Sequence, residues 1–77
     1  MKLYSIAKNQ TEIIVNHITV FFSYNTPVAC HITGQGFFRT ATKYSTTTTK
    51  HINKFINRNG GNDAAEKPQE FFNDLLK

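Results

Sequence analysis

Lys50, Lys54 and Arg58 recur at i, i+4 and i+8 behind the run Ser45-Thr46-Thr47-Thr48-Thr49. On a helix beginning near Thr46 this spacing sets the three cations in one row, with Thr47 on the same side and His51 at its border. Unpaired N–H groups at a helix start, hydroxyls and neighbouring lysines together suit an anion. Phosphate of a nucleic-acid backbone is one such anion, and Arg39 and Lys43 would extend the track. The candidate set for binding DNA or RNA is therefore Arg39, Lys43, Thr46, Thr47, Lys50, His51, Lys54 and Arg58. An N-cap followed by a solvated helix face would give the same pattern with no ligand at all.

Charge distribution leans the same way. The formal net charge is +4, yet no acidic residue occurs between positions 13 and 62, where all of Arg39, Lys43, Lys50, Lys54 and Arg58 lie. The tail carries Asp63, Glu66, Glu70 and Asp74. Such asymmetry points to a polyanionic or acidic partner for the middle of the chain, against the plainer alternative of a solubilising basic face. Tyr24, Phe37, Phe38 and Tyr44 sit near the basic segment, and exposed rings can stack bases. Phe37 and Phe38 are strand neighbours and point to opposite faces, so one is the better candidate for exposure. In so short a chain most rings belong to the core.

Other chemistries find less support. Cys30, His17, His31 and His51 are four ligands in number, but they lack the two close pairs of a structural zinc site, so no metal is expected. Cys30 and His31 are adjacent on an expected strand and face apart, which is the wrong geometry for a nucleophile and its base. Gly34-x-Gly36 and Gly60-Gly61 are turn signals and do not form a phosphate-binding loop. No catalytic residue and no cofactor is expected, and the chain reads as a non-enzyme.

These residues must be positioned by a single small domain covering residues 1–77. A chain of this length buries only roughly 60 % of the surface its unfolded form exposes, so its core is thin. Seven Phe and three Tyr help by burying much area per residue. Homodimer formation would be another route to burial. With one cysteine no intrachain disulfide can form, which fits a reducing compartment. No signal peptide is visible, and the apolar-rich run 13–22 is too short to span a bilayer. A cytoplasmic protein without membrane attachment is expected.

The fold class expected is α+β, an antiparallel β-meander of about five short strands over 3–41 followed by two helices at about 46–58 and 67–76. Strands are expected at 3–7, 12–15, 18–23, 28–33 and 37–41. Turns fall at Lys8-Asn9-Gln10, Asn16-His17, Asn25-Thr26-Pro27 and Gly34-Gln35-Gly36. Ile52, Phe55 and Ile56 make the buried stripe of the first helix, and Gly60-Gly61 stops it. Pro68 suits the first position of the second helix, and an earlier start capped by Asp63 and Glu66 is disfavoured because Pro68 would then lack a needed N–H. Phe71, Phe72, Leu75 and Leu76 form its apolar face, which either packs on the sheet or docks on a protein partner.

Two strings carry a resemblance: Ser23-Tyr24-Asn25-Thr26-Pro27-Val28-Ala29, and Lys43-Tyr44-Ser45-Thr46-Thr47-Thr48-Thr49-Lys50-His51-Ile52-Asn53-Lys54-Phe55. The chain resembles a family of short phage, plasmid and archaeal proteins of unassigned function that share YNT-x-VA and YS-x-TT-x-KHIN-like elements. The resemblance covers roughly the middle half of the chain. It implies a viral or mobile-element origin and a strand-rich body leading into a helix, and it implies no chemistry. In that setting a second possibility is a protein-binding inhibitor or modulator of a host enzyme, acting in host takeover or anti-defence as anti-CRISPR proteins do.

Overall fold

A computed structural model describes residues 2–7, 9–61 and 64–75. Five strands follow one another as β1 (Lys2–Ala7), β2 (Gln10–Val15), β3 (Ile18–Ser23), β4 (Thr26–Ile32) and β5 (Gly36–Thr40). Helix α1 (Thr46–Arg58), a short strand β6 (Ala65–Lys67) and helix α2 (Gln69–Asp74) complete the order. The sheet runs β1-β2-β3-β4-β5-β6, antiparallel throughout except that β6 lies parallel to β5. The expected α+β meander with two helices is what the chain forms.

Tight turns make the meander. Val15 and Ile18 are register partners, so Asn16-His17 is a two-residue hairpin loop, and Asn16 adopts the φ of 55° that asparagine tolerates. At the next hairpin the turn is Tyr24-Asn25, one residue earlier than the Pro27 signal suggests. Pro27 instead lies inside β4 opposite Phe22, where the register steps and leaves Val28 as an extra residue. Such a bulge tolerates a residue without an N–H and re-aims its neighbours. Val28 and Ala29 accordingly enter the same core cluster.

The alternation of β4 and β5 then separates two cores. Ala29 and Phe37 pack with Phe21, Val28, Ile52, Phe55 and Ile56 under α1. Their neighbours Cys30 and Phe38 pack with Ile18, Ile32, Phe71, Phe72 and Leu75 under α2. Because successive strand residues point oppositely, the helices cover opposite faces of one sheet. Phe21 and Phe55 stack at 4.9 Å between ring centres, with Phe37 edge-on to Phe55 at 6.0 Å.

Two expectations need correction. Strand β6 has no counterpart in the sequence-based outline, because Ala-Glu-Lys carries neither alternation nor β-branched residues; its strand character comes from pairing with the edge of β5. Helix α2 begins at Gln69, and Pro68 is its extended N-cap (φ −64°, ψ 154°) instead of its first helical residue. Lys8 of the first turn, Asp63 of the alternative cap, and Leu76 of the second apolar face lie outside the described residues.

Candidate nucleic-acid interface

Helix α1 has a defined start and stop. The Ser45 hydroxyl accepts from the Thr48 N–H at 3.2 Å, the geometry of an N-cap bonded to the third helical residue. At the other end Gly60 takes φ 83°; its N–H reaches Asn57 O at 3.1 Å, and the Gly61 N–H reaches Ile56 O at 2.8 Å. That double bond pattern is a Schellman stop, which needs glycine at the left-handed position. Between these ends Thr48, Ile52, Phe55 and Ile56 are buried against the sheet. Thr46, Thr47, Lys50 and Lys54 fall on the outward side and are exposed.

Tertiary contacts divide the basic residues. Lys50, Lys54 and Lys43 are exposed and make no ion pair or hydrogen bond among the described residues. Arg58, the last of the row, is bound through Nη2 to Glu12 Oε2 of β2 at 2.8 Å. Arg39 lies on the α1 side of β5, donates to Asn53 Oδ1 at 3.1 Å, and has Glu66 as its register partner. The sheet therefore supplies a carboxylate to Arg58, while Arg39 bonds a neutral amide of α1. No acidic residue occurs in the first turn of α1.

His51 borders the row and is held by β3. Its Nδ1 hydrogen-bonds the Ser23 hydroxyl at 2.8 Å. Ser23 Oγ donates towards Thr48 Oγ1 at 3.4 Å, and Ser45 Oγ lies 3.3 Å from the same Thr48 oxygen. The ring of Tyr24, which follows Ser23, packs 6.1 Å from His51. Two sequence strings that stand more than a dozen residues apart in the chain thus meet at Thr48 and His51. Ser23 is 2 % exposed, and its contact with His51 joins sheet to helix.

A second anchor fixes the loop that enters α1. Gln69 Oε1 accepts from the Thr40 hydroxyl at 2.8 Å and from the Tyr44 phenol at 2.9 Å. Its Nε2 donates to Pro27 O at 2.7 Å and to Asn73 Oδ1 at 3.1 Å. Neither Ser23 nor Gln69 stands out in the sequence, since a lone serine or glutamine carries no spacing signal. Of the four rings near the basic segment, Phe37 and Phe38 are drawn into the two cores. Tyr24 and Tyr44 stay exposed, at 50 % and 46 %.

The remaining candidates are dispersed. Cys30 is buried, and burial pushes its thiol up to about 12 from 9.0. His31 leans on the Phe37 ring at 4.6 Å, on the other face of β4 from Cys30, and His17 is exposed in its hairpin turn. No cluster of three possible metal ligands forms among the described residues. Phe72 is fully buried beneath α2, with Phe71 and Leu75 packed beside it, so this apolar face meets the sheet. Lys67 covers the outer side, its ammonium 5.6 Å from the Phe38 ring centre and 5.8 Å from that of Phe71.

One row of side chains, Leu3, Ile13, Val20, Cys30 and Phe38, crosses the sheet on the α2 side. Helix α2 covers its Cys30–Phe38 end. At the other end Leu3 is 65 % exposed and lines a shallow groove of about 230 Å³ with Thr11, Ile13, Phe22, Tyr24 and Asn25. No helix among the described residues is long and apolar enough to cross a membrane.

Over residues 1–74 the chain matches the model of a family of unknown function, DUF8033. No curated protein and no solved structure matches it.

Proposed function

The chain belongs to the DUF8033 family of unknown function, and for it we propose a non-enzymatic role: nucleic-acid binding through the outward face of α1. The observation that carries this is the pair Lys50 and Lys54, exposed and without a partner among the described residues on a helix with no acid in its first turn. Lys43 in the entry loop and the exposed hydroxyls of Thr46 and Thr47 lie at the start of the same helix. Phosphate contacts of this kind position a nucleic acid without reading its sequence. The resemblance of the Tyr24 and Tyr44 segments to phage and plasmid proteins supports an accessory role for a mobile element, in the cytoplasm of its host.

Fluorescence anisotropy with labelled DNA and RNA at low salt tests the proposal. Binding is expected, and Lys50→Glu with Lys54→Glu should abolish it while circular dichroism and thermal unfolding stay near wild type. An absence of binding to single- and double-stranded DNA and RNA alike would refute it.

A second reading, a protein-binding modulator of a host enzyme in an anti-defence role, is supported by a different observation. With Phe71, Phe72 and Leu75 packed on the sheet, a strip of Leu3, Ile13 and Phe22 is an apolar surface left uncovered among the described residues. That reading expects a host-protein complex that survives nuclease and moderate salt and is lost on Leu3→Glu. A complex indifferent to that substitution would count against it.

A further inference from the structure

We infer that the ligand of this face is a single-stranded nucleic acid, with Tyr24 and Tyr44 as stacking platforms for unpaired bases beside the α1 lysines. The inference rests on the nucleic-acid reading above and deepens it. Its starting point is that the two exposed tyrosines adjoin serines that meet at one threonine. Tyr24 follows Ser23 and Tyr44 precedes Ser45, and both serine hydroxyls lie within 3.4 Å of the Thr48 hydroxyl. The backbones of the two tyrosines therefore stand at the same end of the sheet, near the start of α1.

Each tyrosine also has contacts of its own with the fold. Tyr24 sits in the β3–β4 turn at φ 59°, an uncommon conformation for an aromatic residue, with its N–H bonded to Asn9 O at 2.7 Å. His51, itself held by Ser23, packs against that ring. Tyr44 is fixed through its phenol by Gln69. A hydroxyl tied back to the protein leaves the ring, and not the polar tip, as what Tyr44 offers to solvent. Burying either ring against the core would have served stability better in so small a chain. Exposed rings near the start of a helix that carries unpaired ammonium groups are the parts from which sequence-tolerant single-strand sites are built. A duplex keeps its bases stacked inside and could use only the lysines.

The test compares a homopolymeric oligonucleotide with a duplex of equal length at matched salt. The single strand is expected to bind at least about fivefold more tightly, the effect of one stacked base. The chain has no tryptophan, so its tyrosine emission can be followed directly, and it should be quenched by the single strand and not by the duplex. Tyr24→Ala and Tyr44→Ala should each weaken single-strand binding about 5- to 140-fold. Tyr24→Phe, which keeps the ring and removes no hydrogen bond described for it, should stay within about twofold of wild type. Should an alanine variant fail to fold, the quenching and the duplex comparison still decide. Equal or tighter duplex binding, unquenched emission, or alanine variants that bind like wild type would overturn the inference and leave lysine-dependent nucleic-acid binding standing. Binding to no nucleic acid would overturn both.

Discussion

Charge pairing within the fold makes a quantitative prediction about salt. Each phosphate neutralised on a single strand contributes about −0.7 to the slope of log K against log salt concentration. All five cations of the middle segment would give a slope of about −3.5, hence an affinity loss of about 130-fold between 50 and 200 mM salt. In the folded chain Arg58 is paired with Glu12, whereas Arg39 bonds only the neutral Asn53 amide and keeps its charge, which leaves Arg39, Lys43, Lys50 and Lys54. Four contacts give a slope of about −2.8 and a loss of about 50-fold over the same range. The Arg58–Glu12 pair is a surface one, worth no more than about 1 kcal/mol to stability, so its main effect on binding is the charge it cancels. Glu12→Gln should therefore release Arg58, tighten binding at low salt, and steepen the slope by about 0.7. Anisotropy titrations of a labelled homopolymer across this salt range measure both slopes. A wild-type slope near −3.5 that Glu12→Gln leaves unchanged would show that Arg58 reaches phosphate despite Glu12, and the structural division of the cations would be wrong.

Three further outcomes test the fold that carries the site. Phe55→Ala removes a fully buried ring that stacks on Phe21 and meets Phe37 edge-on, so urea denaturation should show a loss of about 3–5 kcal/mol; a loss under about 1 kcal/mol would contradict the packing described. A Cβ added at Gly61 would lie 2.6 Å from the Phe37 ring and 2.9 Å from Ile56 Cγ2, so Gly61→Ala should destabilise by about 1–3 kcal/mol and lower Tm by at least about 4 °C; an unchanged Tm would refute that close approach. Burial raises the Cys30 pKa from 9.0 to about 12, so the unfolded chain loses its thiol proton first. This stabilising contribution is complete below pH 9 and falls by about 1.4 kcal/mol per pH unit above it, until the folded thiol also ionises near pH 12. Denaturation midpoints measured above pH 9 should be less alkali-sensitive in Cys30→Ala, and identical slopes for the two proteins would exclude the linkage.

Local patterns account for what the sequence made legible. Strand existence follows from β-branched and aromatic runs broken by turn residues, and all five expected strands form within a few residues of their expected limits. The α1 stripe of Ile52, Phe55 and Ile56 is buried as its spacing requires, and Ser45 from the hydroxyl run provides the cap. Lys50 and Lys54 face outward because that stripe faces in. Elements lacking such a pattern were not legible. Three residues of β6 become a strand only against β5, and the turn before β4 moved because Tyr24 accepted a positive φ while Pro27 was absorbed by a bulge.

By itself the sequence determined the order of the five meander strands and the two helices, the buried stripe of α1, and an acid-free basic segment from residue 13 to 62. All three are properties of neighbouring residues, set by backbone conformation and side-chain period. Only the tertiary structure decided which cations remain unpaired and which rings remain exposed. Glu12 reaches Arg58 across 46 residues and Ser23 reaches His51 across 28. The sheet's alternation sends Phe37 and Phe38 into separate cores while Tyr24 and Tyr44 stay at the start of α1. Contacts at that separation depend on strand register and on which face each helix covers, and spacing along the chain does not encode either.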